Sequence, residues 1–323
     1  MNNTQEKKYK DMISVAPMLD WTDTHFRTFL RLICHRATLY TEMIACPALI
    51  LGDRKRLLQY NPVERPLILQ VGGNDPNLMC ECAKMAADNG YQGININAGC
   101  PSDRVQAGQF GAILMKTPEV VADCVNAMRN SAHIPVSVKT RIALSTVTGD
   151  GFESLFHFAD LVAKAGCSHL IVHARKAKLN LSPKENRQKL PIDYEVVYRL
   201  KKSFPDMKIS INGNISSLSE AEKHLQYVDG VMIGRAAYGN PYMLAEADKL
   251  FYGDNHPILS RWEVLESFVP YLEQHTDRLS IICPHLMGLF HREPNAKKYR
   301  QVLTNCNLSE LKAFIKEGQS NQT

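Results

Sequence analysis

At 323 residues the chain is longer than one small core needs, and at roughly 150 residues per domain it predicts two units, or one large α/β barrel with an appendage. Hydrophobic residues make up 45% and charged residues 22%, which excludes global disorder. A net charge of +5 excludes a polycationic packing protein but allows a localised phosphate-binding face.

From the N-terminus onward, MNNTQEKKYKDM has no apolar run behind its lysines, and no later stretch reaches the ~18 apolar residues of a membrane span. A soluble, cytoplasmic protein is expected. Short β-branched runs at 12–16, 39–42, 67–71, 93–97, 136–140, 169–173, 208–212 and 230–234 predict eight strands. Helices are predicted after Asp23, at Asp75, at Thr117-Pro118 and near Ser217, each with a capping residue or a proline in its first turn. The alternation predicts a (β/α)8 TIM barrel, and the absence of GxGxxG and GxxxxGK[ST] disfavours a doubly wound sheet. Beyond Asn240-Pro241 the strand pattern stops, and YGDNHP at 252–257 reads as a linker. The expected organisation is a catalytic barrel over 1–251 and a small all-helical domain over 252–323.

A barrel interior is normally filled with Val, Ile and Leu, so inward polar residues need a reason. A period of two puts Ser137, Lys139 and Arg141 on one face of their strand and both Asn95 and Asn97 inside theirs. Gln70, His173 and Asn212 sit at the ends of three more. Each alone reads as a hydrogen-bonded core residue. Repeated over five strands, they suggest a polar planar ligand in the mouth, without which buried polar groups would go unpaired. Strands seven and eight end in Asn212-Gly213-Asn214 and Gly234-Arg235-Ala236, where such barrels commonly hold a phosphate. A phosphate plus a planar head group describes flavin mononucleotide (FMN).

The nine cysteines are odd in number and form no CxxC pair, so reduced thiols are expected. Cys100 differs from the rest in its place, between Gly99 and Pro101 on the loop after strand four. An ordinary thiol, with a pKa of about 8.5, keeps its proton at pH 7. Flavin and acid together suggest reduction of a polarised double bond, with hydride to one carbon and a proton from Cys100 to its neighbour.

These residues fall in motifs that closely resemble the tRNA-dihydrouridine synthases, specifically the bacterial A-type subfamily. The resemblance rests on APMLDWTD at 16–23, GCPS at 99–102, VKTR at 138–141, VHARK at 172–176, LSPKENR at 181–187 and DGVM at 229–232, and it runs from about residue 13 to about 303. It implies an FMN enzyme that uses NADPH to reduce uridines 20 and 20a of the tRNA D-loop. Carried over, it places Pro17 and Met18 against the flavin and Gln70, Lys139 and His173 on its ring and ribityl chain. Asn212, Gly213, Asn214, Gly234 and Arg235 hold its phosphate end, and Cys100 is the proton donor. Asn97, Lys184, Arg187 and Arg300 are its tRNA contacts. No metal is implied, and a monomer is expected. The chain departs from the family pattern at Asn214, where a second glycine is usual, at Asn97-Ala98-Gly99, at Lys178, where an aromatic is usual, in a stretch before LSPKENR one residue shorter than usual, and at Tyr299-Arg300-Gln301 in place of Trp-Arg-Arg.

RNA binding has independent support. Between 175 and 189, Arg175, Lys176, Lys178, Lys184, Arg187 and Lys189 face one acid, Glu185, in a stretch rich in loop formers; Lys297, Lys298 and Arg300 form a second cluster. Three other readings remain at this level: a flavin barrel reducing a free dihydropyrimidine or enoate, an aldolase-type barrel with Lys139 as Schiff-base former, and an RNA-binding protein without chemistry.

Overall fold

The computed structural model describes residues 12–294 and 296–320. The strands are β1 (Ile13–Val15), β2 (Leu39–Tyr40), β3 (Ile44–Ala45), β4 (Leu67–Gly72), β5 (Ile94–Asn97), β6 (Val136–Arg141), β7 (His169–His173), β8 (Lys208–Asn212) and β9 (Gly230–Ile233). All pair in parallel in the order β1-β9-β8-β7-β6-β5-β4-β2. The ring closes between β2 and β1, where Val15 N donates to Thr38 O and Thr38 N to Ile13 O, each at 3.0 Å. This is the expected (β/α)8 barrel with one extra strand. β3 pairs with the end of β4, and at two residues it is too short to display the period of two that reveals a strand in sequence.

Outward residues such as Leu69, Ile96, Val138 and Val172 pack against the helices in one apolar cluster. The helices begin where their caps predict. Asp23 Oδ1 accepts from Phe26 N at 2.9 Å to start helix Thr24–Arg31, Asp75 caps Pro76–Asp88, Pro118 opens Pro118–Ser131 and Ser217 caps Leu218–His224. Inside the barrel Ala16, Tyr40, Ile171 and Met232 form an apolar plug, with Met18 and Ile68 packed against it. The rest of the interior is polar, as the strand period predicts.

Gly253, with φ of +66°, ends helix Ala247–Tyr252. Helices Arg261–Gln274, Leu279–Leu286, Ala296–Thr304 and Leu308–Ser320 follow. The first two pack on the barrel's first helix, with the Phe29 and Phe268 rings 5.3 Å apart and His285 Nε2 3.2 Å from Asp23 Oδ2. The seam is tight at Gly288, where a Cβ would lie 2.7 Å from Tyr238 O. No helix among the described residues is long and apolar enough to cross a membrane.

Candidate active site

A cleft of about 470 Å³ opens at the C-terminal ends of the strands. Pro17, Met18, Gln70, Asn97, Cys100, Lys139, His173, Arg187, Asn212, Gly213, Asn214, Gly234 and Arg235 all line it. Two of the sequence-predicted residues do not. Lys184 is exposed on helix Pro183–Lys189, and Arg300 is exposed on helix Ala296–Thr304.

The polar interior resolves into two layers. Deeper residues satisfy one another: Gln70 Nε2 donates to Asn95 Oδ1 (2.7 Å), Asn95 Nδ2 to Ser137 Oγ (2.9 Å), and the His169 ring meets Ser210 Oγ at 2.7 Å. Asn95, Ser137, His169 and Ser210 are core residues of the ordinary hydrogen-bonded kind, whereas Gln70 stands between the layers and also lines the cleft. The layer above faces the cleft. Lys139 Nζ makes one hydrogen bond among the described residues, to Asn212 Oδ1 at 3.2 Å, and Asn212 is fixed in turn by donating to Met232 O at 2.7 Å. An ammonium has three donors, so Lys139 has capacity left for a ligand.

Among the described residues no carboxylate lines the cleft, whereas Lys139, Arg141, Arg187 and Arg235 do. Burial, helped by the Arg141 guanidinium, pulls the Lys139 ammonium down to about 7. His173 is held well below its ordinary value by burial and then by Arg141, Lys139, Arg175 and Arg187, so its imidazole is neutral near pH 7. Burial also lowers Arg141 to about 10. Cations that penalise one another in this way are suited to a negatively charged ligand.

The strand-end loops have the backbone the sequence implies. Gly213 has φ of +130°, and a Cβ there would sit 2.9 Å from the His173 ring. Asn214 adopts φ of +53°, a left-handed conformation that asparagine tolerates, and its Oδ1 accepts from Arg235 Nη2 at 3.4 Å. The departure from a second glycine therefore leaves the turn intact.

Cys100 is half-buried at the rim, its Sγ 3.6 Å from Ser102 Oγ. Asn97 Oδ1 accepts from both Gly99 N (3.1 Å) and Cys100 N (3.0 Å), while Asn97 Nδ2 donates to Gln70 Oε1 at 3.0 Å. Asn97 thus supports the thiol loop from below. Facing it, Met18 N donates to Thr22 Oγ1 at 2.9 Å, and the N–H groups of Trp21 and Thr22 both turn back onto Met18 O.

The basic stretch after β7 is partly helical. Within this stretch rich in loop formers, residues Pro183–Lys189 form a helix started by a capping box between Ser182 and Glu185. Its six cations also divide. Arg175 is buried and donates to the carbonyls of Asn186 and Arg187, Lys176 Nζ donates to Val147 O and Gly149 O, and Lys189 pairs with Glu185. Lys178 and Lys184 are exposed, and Arg187 turns into the cleft. In the second cluster Lys298 pairs with Glu317.

Sequence reasoning placed Arg141 on the inward face without assigning it to the site, which it lines. It missed Met43 and Ser216 altogether, since neither lies on a predicted strand end. Among the described residues one further cluster has metal-like spacing, His35, Asp248 and His256, at the other end of the barrel. There Asp248 already accepts from Cys34 Sγ and from the backbone of His35 and Arg36. The two imidazoles stack with planes 20° apart, so as placed they do not aim at one ion.

A parallel (β/α)8 barrel with a cationic mouth at its strand ends and a thiol on the rim has the layout of a barrel enzyme whose cleft suits an anionic ligand. The chain belongs to the dihydrouridine synthase family, whose model matches residues 14–321. It is similar to the tRNA-dihydrouridine(20/20a) synthase of Synechocystis sp., at 51% identity over 300 residues covering 92% of this chain and 89% of that one. The protein of the same description from Shewanella oneidensis is 50% identical over 308 residues, 94% of this chain and 91% of its own, and that of Vibrio vulnificus is 49% identical over 297 residues, 90% of each.

Proposed function

We propose that this chain is a tRNA-dihydrouridine(20/20a) synthase that holds FMN in the barrel mouth and takes its reducing equivalents from NADPH. The observation that carries the reading is the convergence, in one carboxylate-free cleft, of the strand-end residues with the Cys100 loop. The cleft fits such a cofactor on its own terms: an ammonium with spare donors, a neutral imidazole, and an Arg235 beside a turn with positive φ at Gly213 and Asn214. Gln70, Lys139 and His173 would hold the ring and ribityl chain, Pro17 and Met18 would pack against the ring, and Asn212, Gly213, Asn214, Gly234 and Arg235 would hold the phosphate end. When bound and reduced, FMN supplies the hydride for one carbon of the uracil C5=C6 bond.

The chain's own residues do the remainder. Cys100 holds a proton at Sγ for the neighbouring carbon, and Asn97 fixes the loop that aims it. Arg187 neutralises charge at the cleft wall. Lys184 and Arg300, outside the cleft, meet tRNA phosphates and help offset the few kcal/mol needed to extrude a stacked uridine. The division into a barrel over 1–251 and a helical clamp over 252–323, acting as a monomer, belongs to this proposal. Dihydrouridine mapping of tRNA from cells lacking the protein tests it: positions 20 and 20a should revert to uridine, and their persistence as dihydrouridine would remove the assignment.

A further inference from the structure

The two carbonyls that flank Cys100 are both gripped by side chains that reach across to the segment after β7. Arg141, buried in the cleft wall, donates from Nε to Gly99 O (2.8 Å) and from Nη1 to Lys176 O (3.0 Å). Gln106, half-buried on helix Asp103–Ala107 and outside the cleft lining, spends both N–H bonds of one amide in the same way: Nε2 donates to Pro101 O at 2.9 Å and to Leu179 O at 2.8 Å. The carbonyl of Cys100 itself accepts from Ala112 N at 2.8 Å. Beneath these links Ala112, Met115, Leu144 and Ala177 form a separate small apolar cluster with Leu179 packed on it. The thiol loop and the segment leading to Lys184 and Arg187 therefore touch through two paired staples and a shared apolar base.

From this arrangement we infer that Gln106 is a positioning residue that ties Cys100 to the basic segment, so that the segment meant to seat tRNA also sets where the proton donor stands. This rests on the function proposed above. One amide joining two carbonyls of different loops has no substitute within the side chain: alanine leaves both carbonyls without that donor, and glutamate keeps the shape but sets a carboxylate against two acceptors. Displacing a reacting group by about 1 Å is enough to slow a positioned reaction by up to about a hundredfold.

The test uses full-length flavin-loaded enzyme carrying Gln106→Ala or Gln106→Glu, with unmodified tRNA. We expect both variants to keep the wild-type visible flavin spectrum and tRNA Kd within about twofold, and to lose at least tenfold in the single-turnover rate at saturating tRNA. Iodoacetamide labelling of Cys100, followed on its own peptide, should rise in the free enzyme of both variants because the loop is released. Wild-type single-turnover rates, unchanged Cys100 labelling, or a rate loss that merely follows lost flavin or weakened tRNA binding would each overturn the inference. Failure of the underlying function would look different, since wild-type enzyme would then form no dihydrouridine at all.

Discussion

Lys139 shows how one residue carries both the cost and the use of the site. Its ammonium is drawn down to about 7 from 10.5, chiefly by burial. Below about pH 7 folded and unfolded chains are both protonated there and the penalty of burying the charge is fully present. Between about 7 and 10.5 the unfolded chain binds the extra proton, so the contribution of Lys139 to stability rises with pH and is lost again as pH falls through 7. An anionic ligand reverses the preference by favouring the ammonium. Affinity for FMN should therefore weaken between pH 7.5 and 9, toward a limit of one decade per pH unit, in fluorescence titrations of the cofactor-free protein. Lys139→Met should bind more weakly at pH 7.5 with a flat profile, and a profile of equal slope in both proteins would show that Lys139 is not the group responsible. Single residues of this kind were legible because their polarity contradicts a strand that should be apolar. The same signal could not separate Lys139 from Asn95 or Ser137, whose partners lie on neighbouring strands; that distinction depends on how far along each strand the mouth begins.

The helix Pro183–Lys189 is the element on which the RNA side depends. Asn186, fully buried, accepts from Lys178 N at 2.8 Å and donates to the carbonyls of Lys178, Leu181 and Ser182. Removing that side chain leaves several part-buried backbone groups without this partner, at a cost of up to about 1–3 kcal/mol each where water does not replace it. Asn186→Ala should lower the thermal midpoint and weaken tRNA binding severalfold while flavin binding persists. Lys184→Ala should instead leave stability unchanged and reduce the slope of log K against log salt by about one, as expected for one lost phosphate contact. An unchanged salt slope would take Lys184 off the RNA. Clusters of charge showed where this element is, but the division of labour among Arg175, Lys176 and Lys189 was invisible in sequence because their acceptors are mostly backbone carbonyls. Strand β3 was missed for a related reason, its register being set by β4 rather than by its own pattern.

At the scale of the whole molecule, the barrel and the C-terminal helices meet along a seam of Phe29 on Phe268, Asp23 with His285, and Gly288 against Tyr238. The end of the strand pattern was legible, and among the described residues no strand follows Ile233. The closeness of the seam was not, because it depends on side chains more than 200 positions apart, such as His25 and Tyr271. Gly288→Val pushes a side chain into the carbonyls of Tyr238 and Gly239, and should loosen the helices from the barrel. We expect flavin content to hold while tRNA affinity falls; equal tRNA affinity would mean that the helices are not a clamp. With no GxGxxG fingerprint to give NADPH a site of its own, reductant and tRNA would use one mouth in turn, so initial-rate lines should be parallel, and intersecting lines would require a second site for NADPH. The proposed function stands on the thiol at the cleft rim as proton donor to a uracil carbon of tRNA. Its most direct measurement is the amount of dihydrouridine formed at 20 and 20a of unmodified tRNA by purified wild-type and Cys100→Ala enzyme with NADPH. Full conversion is expected of the wild type and a loss of at least a hundredfold in rate for the variant, with its flavin and NADPH oxidation retained; equal rates for the two proteins would show that Cys100 is not the proton donor.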